Sequence, residues 1–133
     1  MAQSALTKCR LAMRKLIKAQ GKLYTVLLGK PALVKGTVYE MKTTCGNPNC
    51  RCNTKGKLHR AWRITRSHRG RTQSRSIARG AVKEYKRLTG NYRRFREARA
   101  ELAKINRQIL ELVNGIEEGR KREPKEFKRG KRG

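Results

Sequence analysis

The sequence predicts an α+β protein in which an N-terminal helix, a small three-stranded antiparallel β unit and a long, coiled-coil-like C-terminal helix follow one another. Apolar residues recur at heptad spacing near both ends of the chain, and short β-favouring runs lie between them. Three of the four cysteines fall between the first two of these runs. The predicted segments are an N-terminal helix in 1–30, a cysteine knuckle and β hairpin in 31–79, a long helix in 80–118, and a disordered basic tail in 119–133.

The N-terminal helix is predicted over residues 4 to about 28. Its apolar positions alternate at spacings of three and four, with one polar member, Gln20. Ser4 is a suitable N-cap, and Pro31 ends the helix because proline cannot continue it. The stripe consists of Leu6, Cys9, Met13, Leu16, Gln20, Leu23 and Leu27.

Three short runs predict the strands of the β unit. Residues 37–42 are rich in β-favouring types, and residues 61–66 alternate Trp62 and Ile64 with polar side chains. Residues 71–77 follow after a turn-like segment that contains glycine. Two runs around such a turn indicate a hairpin, which the first strand would extend to a three-stranded sheet.

The long helix is predicted over residues 80 to about 118. Gly90 is a point where a kink or a break can occur, since an interior glycine costs roughly 1 kcal/mol relative to alanine. The stripes at the two ends of the chain can pair within one molecule or between two, and the sequence leaves both arrangements open. Two interleaved series repeat every seven residues: Phe95, Leu102, Ile109 and Ile116, and Ala98, Ile105 and Leu112.

The charge balance favours an anionic partner. Lysine and arginine number 36 against 9 acidic residues, a formal net charge of +27. All nine acids are glutamate, and none lies between Met41 and Lys83. Two-metal nucleases and transposases need clustered carboxylates to hold their cations. We therefore expect no enzyme and no small-molecule substrate, but a protein that binds nucleic acid, either DNA or RNA.

The chain is expected to stay in the cytoplasm. Basic residues interrupt its first apolar positions, so no run reaches the length of a signal peptide. No stretch approaches the roughly 18 apolar residues of a membrane span, and neither helix pairs a strong apolar face with interfacial tryptophan. No membrane partner is expected. In the reducing cytosol, clustered cysteines favour a metal over a disulfide.

The cysteine knuckle predicts a metal site. Its spacing is Cys45-x4-Cys50-x-Cys52-x6-His59, and three thiolates with one imidazole form a common ligand set for structural Zn²⁺. His68 is the alternative fourth ligand, although its place in a predicted turn favours His59. Free or redox-sensitive thiols, or a disulfide in an oxidising compartment, are the other interpretations. A catalytic zinc would need an open position and a nearby acid, which the sequence does not supply.

Arginine-rich segments predict where nucleic acid would bind. The planar guanidinium fork matches phosphates and guanine edges better than a lysine ammonium does, and no glutamate offsets the arginines around Trp62. A solvated charged face is the alternative. The candidate residues are Arg51, Lys55, Lys57, Arg60, Arg63, Arg66, Arg69, Arg71 and Arg75, with Arg93, Arg94 and Arg96 at the start of the coiled-coil segment.

Three motifs stand in the order Gly36-Thr37-Val38-Tyr39, then Cys45-Gly46-Asn47-Pro48-Asn49-Cys50-Arg51-Cys52 with His59 downstream, then Asn91-Tyr92-Arg93-Arg94-Phe95-Arg96. In these motifs the chain resembles a family of short bacterial and archaeal proteins of unknown function, many of them associated with transposons. The resemblance covers roughly residues 36–115. It implies zinc ligands in the knuckle and a mobile-element context, and it implies no activity.

The predicted function is that of a non-enzymatic, zinc-containing, nucleic-acid-binding accessory protein of a mobile element or nucleoprotein machine. Such a protein would be associated with the nucleoid or with a ribonucleoprotein. A dedicated RNA-binding component of a ribonucleoprotein is one alternative, and its basic extensions would fold on the RNA. A coiled-coil adaptor is the other, using its stripes to form a homodimer or to bind a larger nuclease or transposase.

Overall fold

The computed structural model describes residues 2–56 and 58–130 and confirms the α+β class. Its elements are α1 (Ala2–Leu27), β1 (Thr37–Thr43), α2 (Arg51–Thr54), β2 (His59–His68), β3 (Arg71–Ile77) and α3 (Val82–Arg120), with short 3-10 turns at Arg79–Ala81 and Lys125–Gly130. The three strands form one antiparallel sheet in the order β1-β2-β3. Within the described ranges, no helix is long and apolar enough to cross a membrane.

The chain divides into two compact units. The helical unit joins the residues up to 29 with those from 98 onward, and the sheet unit consists of residues 30–97. Helix α3 therefore contributes its first part to the sheet unit and its second part to the helical unit.

In the helical unit, α1 and α3 run antiparallel. Leu6 lies beside Gly119, where a Cβ atom would come within 2.7 Å of the leucine Cδ2. Gln20 Nε2 donates a hydrogen bond of 2.8 Å to Asn106 Oδ1. The one polar position of the α1 stripe thus has a polar partner on α3. Positions of the α1 stripe therefore contact α3 within one chain.

Few side chains are buried in the helical unit, so each of them contributes strongly to its free energy of unfolding. Replacing Ile105, which is 3% exposed, with alanine is expected to lower the free energy of unfolding by about 2–4 kcal/mol, because the change leaves a cavity. Leu110→Ala is the matched control on the same helix, since Leu110 is 62% exposed; it should cost less than about 0.5 kcal/mol. Urea unfolding followed by circular dichroism measures both losses. Equal losses would contradict the core position of Ile105.

The sheet consists of two antiparallel hairpins that share β2. His68 pairs with Arg71 at the end of the second ladder. Between them, Arg69 and Gly70 have positive φ angles of 51° and 76°, as a type I′ turn requires. The predicted hairpin and three-stranded sheet are confirmed. Strand β2 extends beyond 61–66 at both ends because β1 and β3 continue the ladders there.

Helix α3 is continuous through Thr89 and Gly90, where the sequence indicated a kink or a break. The buried Thr89 hydroxyl donates a hydrogen bond of 2.8 Å to the Tyr85 carbonyl. The Arg94 guanidinium lies over Gly90, 3.4 Å from the place where a Cβ atom would stand. Local groups therefore cover the helix surface that the glycine leaves bare, and the helix is not broken.

Contacts within the sheet unit fasten the start of α3 to the segments around it. Asn91 Nδ2 donates a hydrogen bond of 3.1 Å to the Ala32 carbonyl, in the segment before β1. Lys86 Nζ lies 4.7 Å from the ring centroid of Trp62 on β2, which is within cation–π range. The half-buried Trp62 therefore lies beside the first part of α3.

The segment predicted as a disordered basic tail, 119–133, begins with the last residues of α3. The 3-10 turn Lys125–Gly130 follows, and residues 131–133 lie outside the described ranges. Phe127, the one aromatic residue of this segment, is 67% exposed, so the turn contributes no buried apolar contact there.

Candidate metal centre and nucleic-acid interface

The cysteine knuckle joins β1 to β2 at one end of the sheet. Thr43 pairs with His59, so the loop returns to the sheet at the point where it left. Within the loop, the Cys50 N–H donates a hydrogen bond of 3.1 Å to the Asn47 carbonyl, closing a turn that the intervening proline and asparagine favour. The short helix Arg51–Thr54 follows. The ladder thereby fixes both ends of the loop that carries the cysteines.

Four side chains of the knuckle converge. Each of Cys45, Cys50, Cys52 and His59 offers one ligand atom, and these atoms lie within 4.8 Å of one another. Cys50 Sγ is 3.2 Å from His59 Nε2, and the Sγ atoms of Cys45 and Cys52 are 3.6 Å apart. A tetrahedral ion with Zn–S bonds of about 2.3 Å separates its ligand atoms by roughly 3.5–3.8 Å. The four residues lie close enough to bind a metal ion.

The Asn53 side chain and a backbone amide brace the knuckle. Asn53 Nδ2 donates hydrogen bonds to the carbonyls of Cys45 (3.2 Å) and Asn47 (2.8 Å). The Cys45 N–H donates to Cys52 Sγ at 3.2 Å. Such outer contacts orient metal ligands and are part of a functioning site. The sequence indicated Asn47 as a turn former, but it gave no signal for the bracing role of Asn53.

The thiols differ in acidity. The backbone N–H of Cys52, with hydrogen bonds from the side chains of Cys45 and His59, lowers the pKa of Cys50 to about 6. At Cys52, a hydrogen bond from the Cys45 N–H acts to lower the pKa, but burial and the neighbouring thiols outweigh it, so this pKa is raised. Cys50 is thus a thiolate at neutral pH, which is the form that binds metal.

The two candidate histidines lie at opposite ends of one strand. His59 is the first residue of β2 and His68 the last, and the strand is ten residues long. Such a strand spans about 30 Å. His68 is exposed beside the hairpin turn. The structure therefore brings His59, and not His68, to the three cysteines.

The predicted phosphate-binding residues are spread over both faces of the sheet. Strand side chains alternate between faces, and the register places Arg63 opposite Tyr39, on the face away from Trp62. Arg69 lies in the hairpin turn, and Lys57 lies outside the described residues. The Trp62 face carries Arg60, Arg66, Arg71 and Arg75, whereas α2 and its C-cap carry Arg51 and Lys55.

Hydroxyl groups hold the Arg63 side chain in place. Its Nε donates to Ser74 Oγ at 3.0 Å and its Nη1 to Ser76 Oγ at 3.1 Å. The Tyr39 hydroxyl lies 3.3 Å from the same Ser74 oxygen. Because these partners are neutral, they fix the position of the guanidinium without cancelling its charge.

A cleft of 490 Å³ opens within the sheet unit, between the hairpin and α3. Tyr92, Arg93 and Arg96 line it from α3, and Lys35 and Arg66 line it from the sheet side. No acidic residue is among its lining residues. We call this feature the cationic cleft. The rest of its lining consists of Gly36, Thr37, Thr65, Ser67, Thr72 and Thr89.

A model of the protein family described as a domain of unknown function (DUF6788) matches residues 12–87. The match covers more than half of the chain. The chain belongs to the DUF6788 family. No curated protein and no solved structure is significantly similar to it.

The DUF6788 match contains the whole metal cluster and the sheet and ends in the first part of α3. Of the cationic cleft, Lys35 and Arg66 lie inside the matched region, and Tyr92 to Arg96 lie beyond it. The resemblance to an uncharacterised family is confirmed at this level. The association with transposons stays a prediction.

The arginines of α3 in this DUF6788 protein separate into two groups. Arg93 and Arg96 line the cationic cleft. Arg94 instead donates a hydrogen bond of 2.6 Å from Nη2 to Asn91 Oδ1, and it is absent from the cleft lining. Consecutive helical residues point about 100° apart, so three neighbouring arginines cannot share one face. The structure brings two of the three predicted residues to the cleft.

Lys35 and Tyr92 line the cleft but were not among the predicted nucleic-acid-binding residues. Thr89, Tyr92, Arg93 and Arg96 are spaced i, i+3, i+4 and i+7, which places them on one helical face. That spacing was a usable signal for Tyr92. Nothing in the local sequence distinguishes Lys35, because the packing of separate segments brings it to the cleft.

Carboxylate partners are scarce around these cations. Within the described ranges, the ion pairs join Glu84 to Arg87 and Glu118 to Lys121, all four of them exposed. None of these residues lines the cationic cleft. The charges of the cleft residues are therefore available to an external anion.

Proposed function

We propose that this DUF6788 protein is a non-enzymatic nucleic-acid-binding protein whose β unit is held by a structural zinc ion. Three thiolates and one imidazole form a ligand set that zinc favours. Four protein ligands complete a tetrahedron and leave no open position for a substrate or a reactive water, as catalytic zinc requires. A closed site that joins the ends of two paired strands supports a structural role for Cys45, Cys50, Cys52 and His59.

The cationic cleft is the observation that carries the nucleic-acid part of the proposal. It gathers Lys35, Arg66, Arg93 and Arg96 around one cavity that lacks any acidic residue. Arginine forks bind phosphate oxygens in pairs. A net charge of +27 also suits a partner that presents many phosphates along its length. Nucleic acid is the polyanion with this chemistry.

The purified protein is expected to bind labelled oligonucleotides with an affinity that falls steeply with salt. Four phosphate contacts give a slope of log K against log salt of about −3 to −4. Fluorescence anisotropy between about 50 and 200 mM salt measures that slope. Polyglutamate of matched charge is the control competitor and should displace the oligonucleotide poorly. The absence of binding at moderate salt, or equal competition by polyglutamate, would contradict the proposal.

We further place the protein with a mobile element or a nucleoprotein machine, on the basis of its motifs and its charge. Native purification, metal analysis and sequencing of the co-purifying nucleic acid test this placement. One zinc ion per chain with the end sequences of a mobile element would support it. A single enriched RNA would favour a ribonucleoprotein component, and a retained nuclease without enriched nucleic acid would favour an adaptor.

A further inference from the structure

The cationic cleft combines positive charge with an aromatic ring. On α3, Tyr92 lies between Thr89 and Arg96 on the face that also carries Arg93. The Thr89 hydroxyl is already hydrogen-bonded to helix carbonyls. No hydrogen bond within the described residues engages the side chains of Tyr92, Arg93 or Arg96. These three groups are therefore ready to contact a ligand in the cleft.

The opposite wall is also cationic. Arg66 Nε donates a hydrogen bond of 2.9 Å to Gln73 Oε1, a neutral partner that orients the guanidinium and leaves its charge uncancelled. A Cβ atom at Gly36 would lie 3.0 Å from Ile64 Cγ1 and 3.1 Å from the Thr65 carbonyl oxygen. Glycine thus lets the start of β1 lie close to β2, next to Lys35. Close packing of β1 against β2 therefore shapes this wall of the cleft.

The size and composition of the cleft restrict what it can hold. A volume of 490 Å³ falls within the range of about 300–1,000 Å³ typical of small-molecule and cofactor sites, which is more room than a bare phosphate group fills. Four cationic side chains favour a ligand that carries phosphate groups, and the tyrosine offers a flat surface on which a ring of the ligand can stack. A nucleotide unit unites both properties. The bases of a duplex are stacked on one another and paired, so they do not present a free face.

We propose that the cationic cleft holds an unstacked nucleotide of a single-stranded nucleic acid. Its phosphates contact Lys35, Arg66, Arg93 and Arg96, and its base lies against Tyr92. This inference rests on the proposed nucleic-acid-binding function and deepens it, because it makes single strands the preferred partner. Single-stranded RNA and single-stranded DNA share the chemistry required, and separate arms of the test distinguish them.

The test compares oligonucleotides of one sequence as single-stranded RNA, single-stranded DNA and duplex DNA, by anisotropy at moderate salt. Wild-type protein is expected to bind at least one single strand more tightly than the duplex. Tyr92→Leu should weaken single-strand binding about 10-fold, since one base stacked on an aromatic side chain contributes on this scale. Duplex binding should change little, and Tyr92→Phe should retain the single-strand preference.

Tyr24→Leu is the matched control, because Tyr24 is 41% exposed on α1 and does not line the cleft; it should leave both affinities unchanged. Equal losses in the Tyr92 and Tyr24 variants, or equal losses on single strand and duplex, would overturn the inference. Wild-type protein that binds single strand and duplex equally would overturn it while leaving the proposed function intact. Wild-type protein that binds no nucleic acid would overturn both.

Photochemical cross-linking keeps the inference testable if Tyr92→Leu fails to fold. A single strand that contains a photoreactive uracil is irradiated with the full-length wild-type protein, and the linked peptide is identified by mass spectrometry. Cross-links to the peptide that contains Tyr92 are expected. Cross-links confined to α1 or to the segment after α3 would overturn the inference.

Discussion

Cys50→Ser is expected to abolish stoichiometric metal binding and to unfold the β unit. Wild-type protein should carry one zinc ion per chain, and the variant far less, because a serine hydroxyl does not replace a zinc-bound thiolate. Loss of a structural metal belongs to the few single changes that cost more than about 4 kcal/mol in the free energy of unfolding. Metal analysis after gel filtration and circular dichroism measure the two effects.

The knuckle buries little apolar surface. Among its described side chains, Cys52 alone is buried, and Cys45 and Cys50 are half-buried. Its one helix, α2, has four residues. A loop with so little apolar burial gains almost nothing from the hydrophobic effect. Coupling of metal binding to folding is the usual solution in domains of this size.

Cys9→Ser is the matched control for this prediction. It makes the same chemical change on α1, where the Cys9 sulfur lies near Gly115 in the helical unit, whereas the knuckle belongs to the sheet unit. The control is expected to keep its zinc and its sheet. Equal zinc content and equal unfolding curves for the two variants would show that the knuckle is not the metal site.

Most of the fold was predictable because its signals are periodic and local. Heptad spacing indicated α1 and α3, and the third strand was predicted over the residues that form it, Arg71–Ile77. The break that the sequence allowed at Gly90 is absent from α3. Helix α3 instead continues through this residue, and the Arg94 guanidinium covers the surface that the glycine leaves bare. Boundaries of β2 were set by its partner strands, which no single segment specifies.

The two sites differ in how far the sequence could predict them. The metal cluster draws its residues from one short segment, so spacing and ligand chemistry pointed to Cys45, Cys50 and Cys52 and favoured His59 over His68 as the fourth residue. The cationic cleft combines residues as distant along the chain as Lys35, Arg66 and Tyr92. The sequence indicated that the protein is cationic. Only strand register and helix packing decide which cations share a cavity.

Reversing Arg93 and Arg96 together to glutamate is expected to weaken nucleic-acid binding by about 100-fold at moderate salt. The change removes two cations that line the cationic cleft and places two carboxylates where phosphates would lie. The slope of log K against log salt should fall in magnitude by about 2, one unit for each phosphate that the protein no longer neutralises. Anisotropy over a salt series measures both quantities.

Lys104→Glu with Arg107→Glu is the matched control. These residues lie on the same helix with the same spacing, both are exposed, and neither lines the cleft. The two double variants change the net charge equally, so position alone separates them. The control should weaken binding less than about threefold, because salt screens exposed charges beyond about 10 Å. Equal weakening would mean that net charge alone governs binding, whereas the expected difference would locate the interface at the cationic cleft.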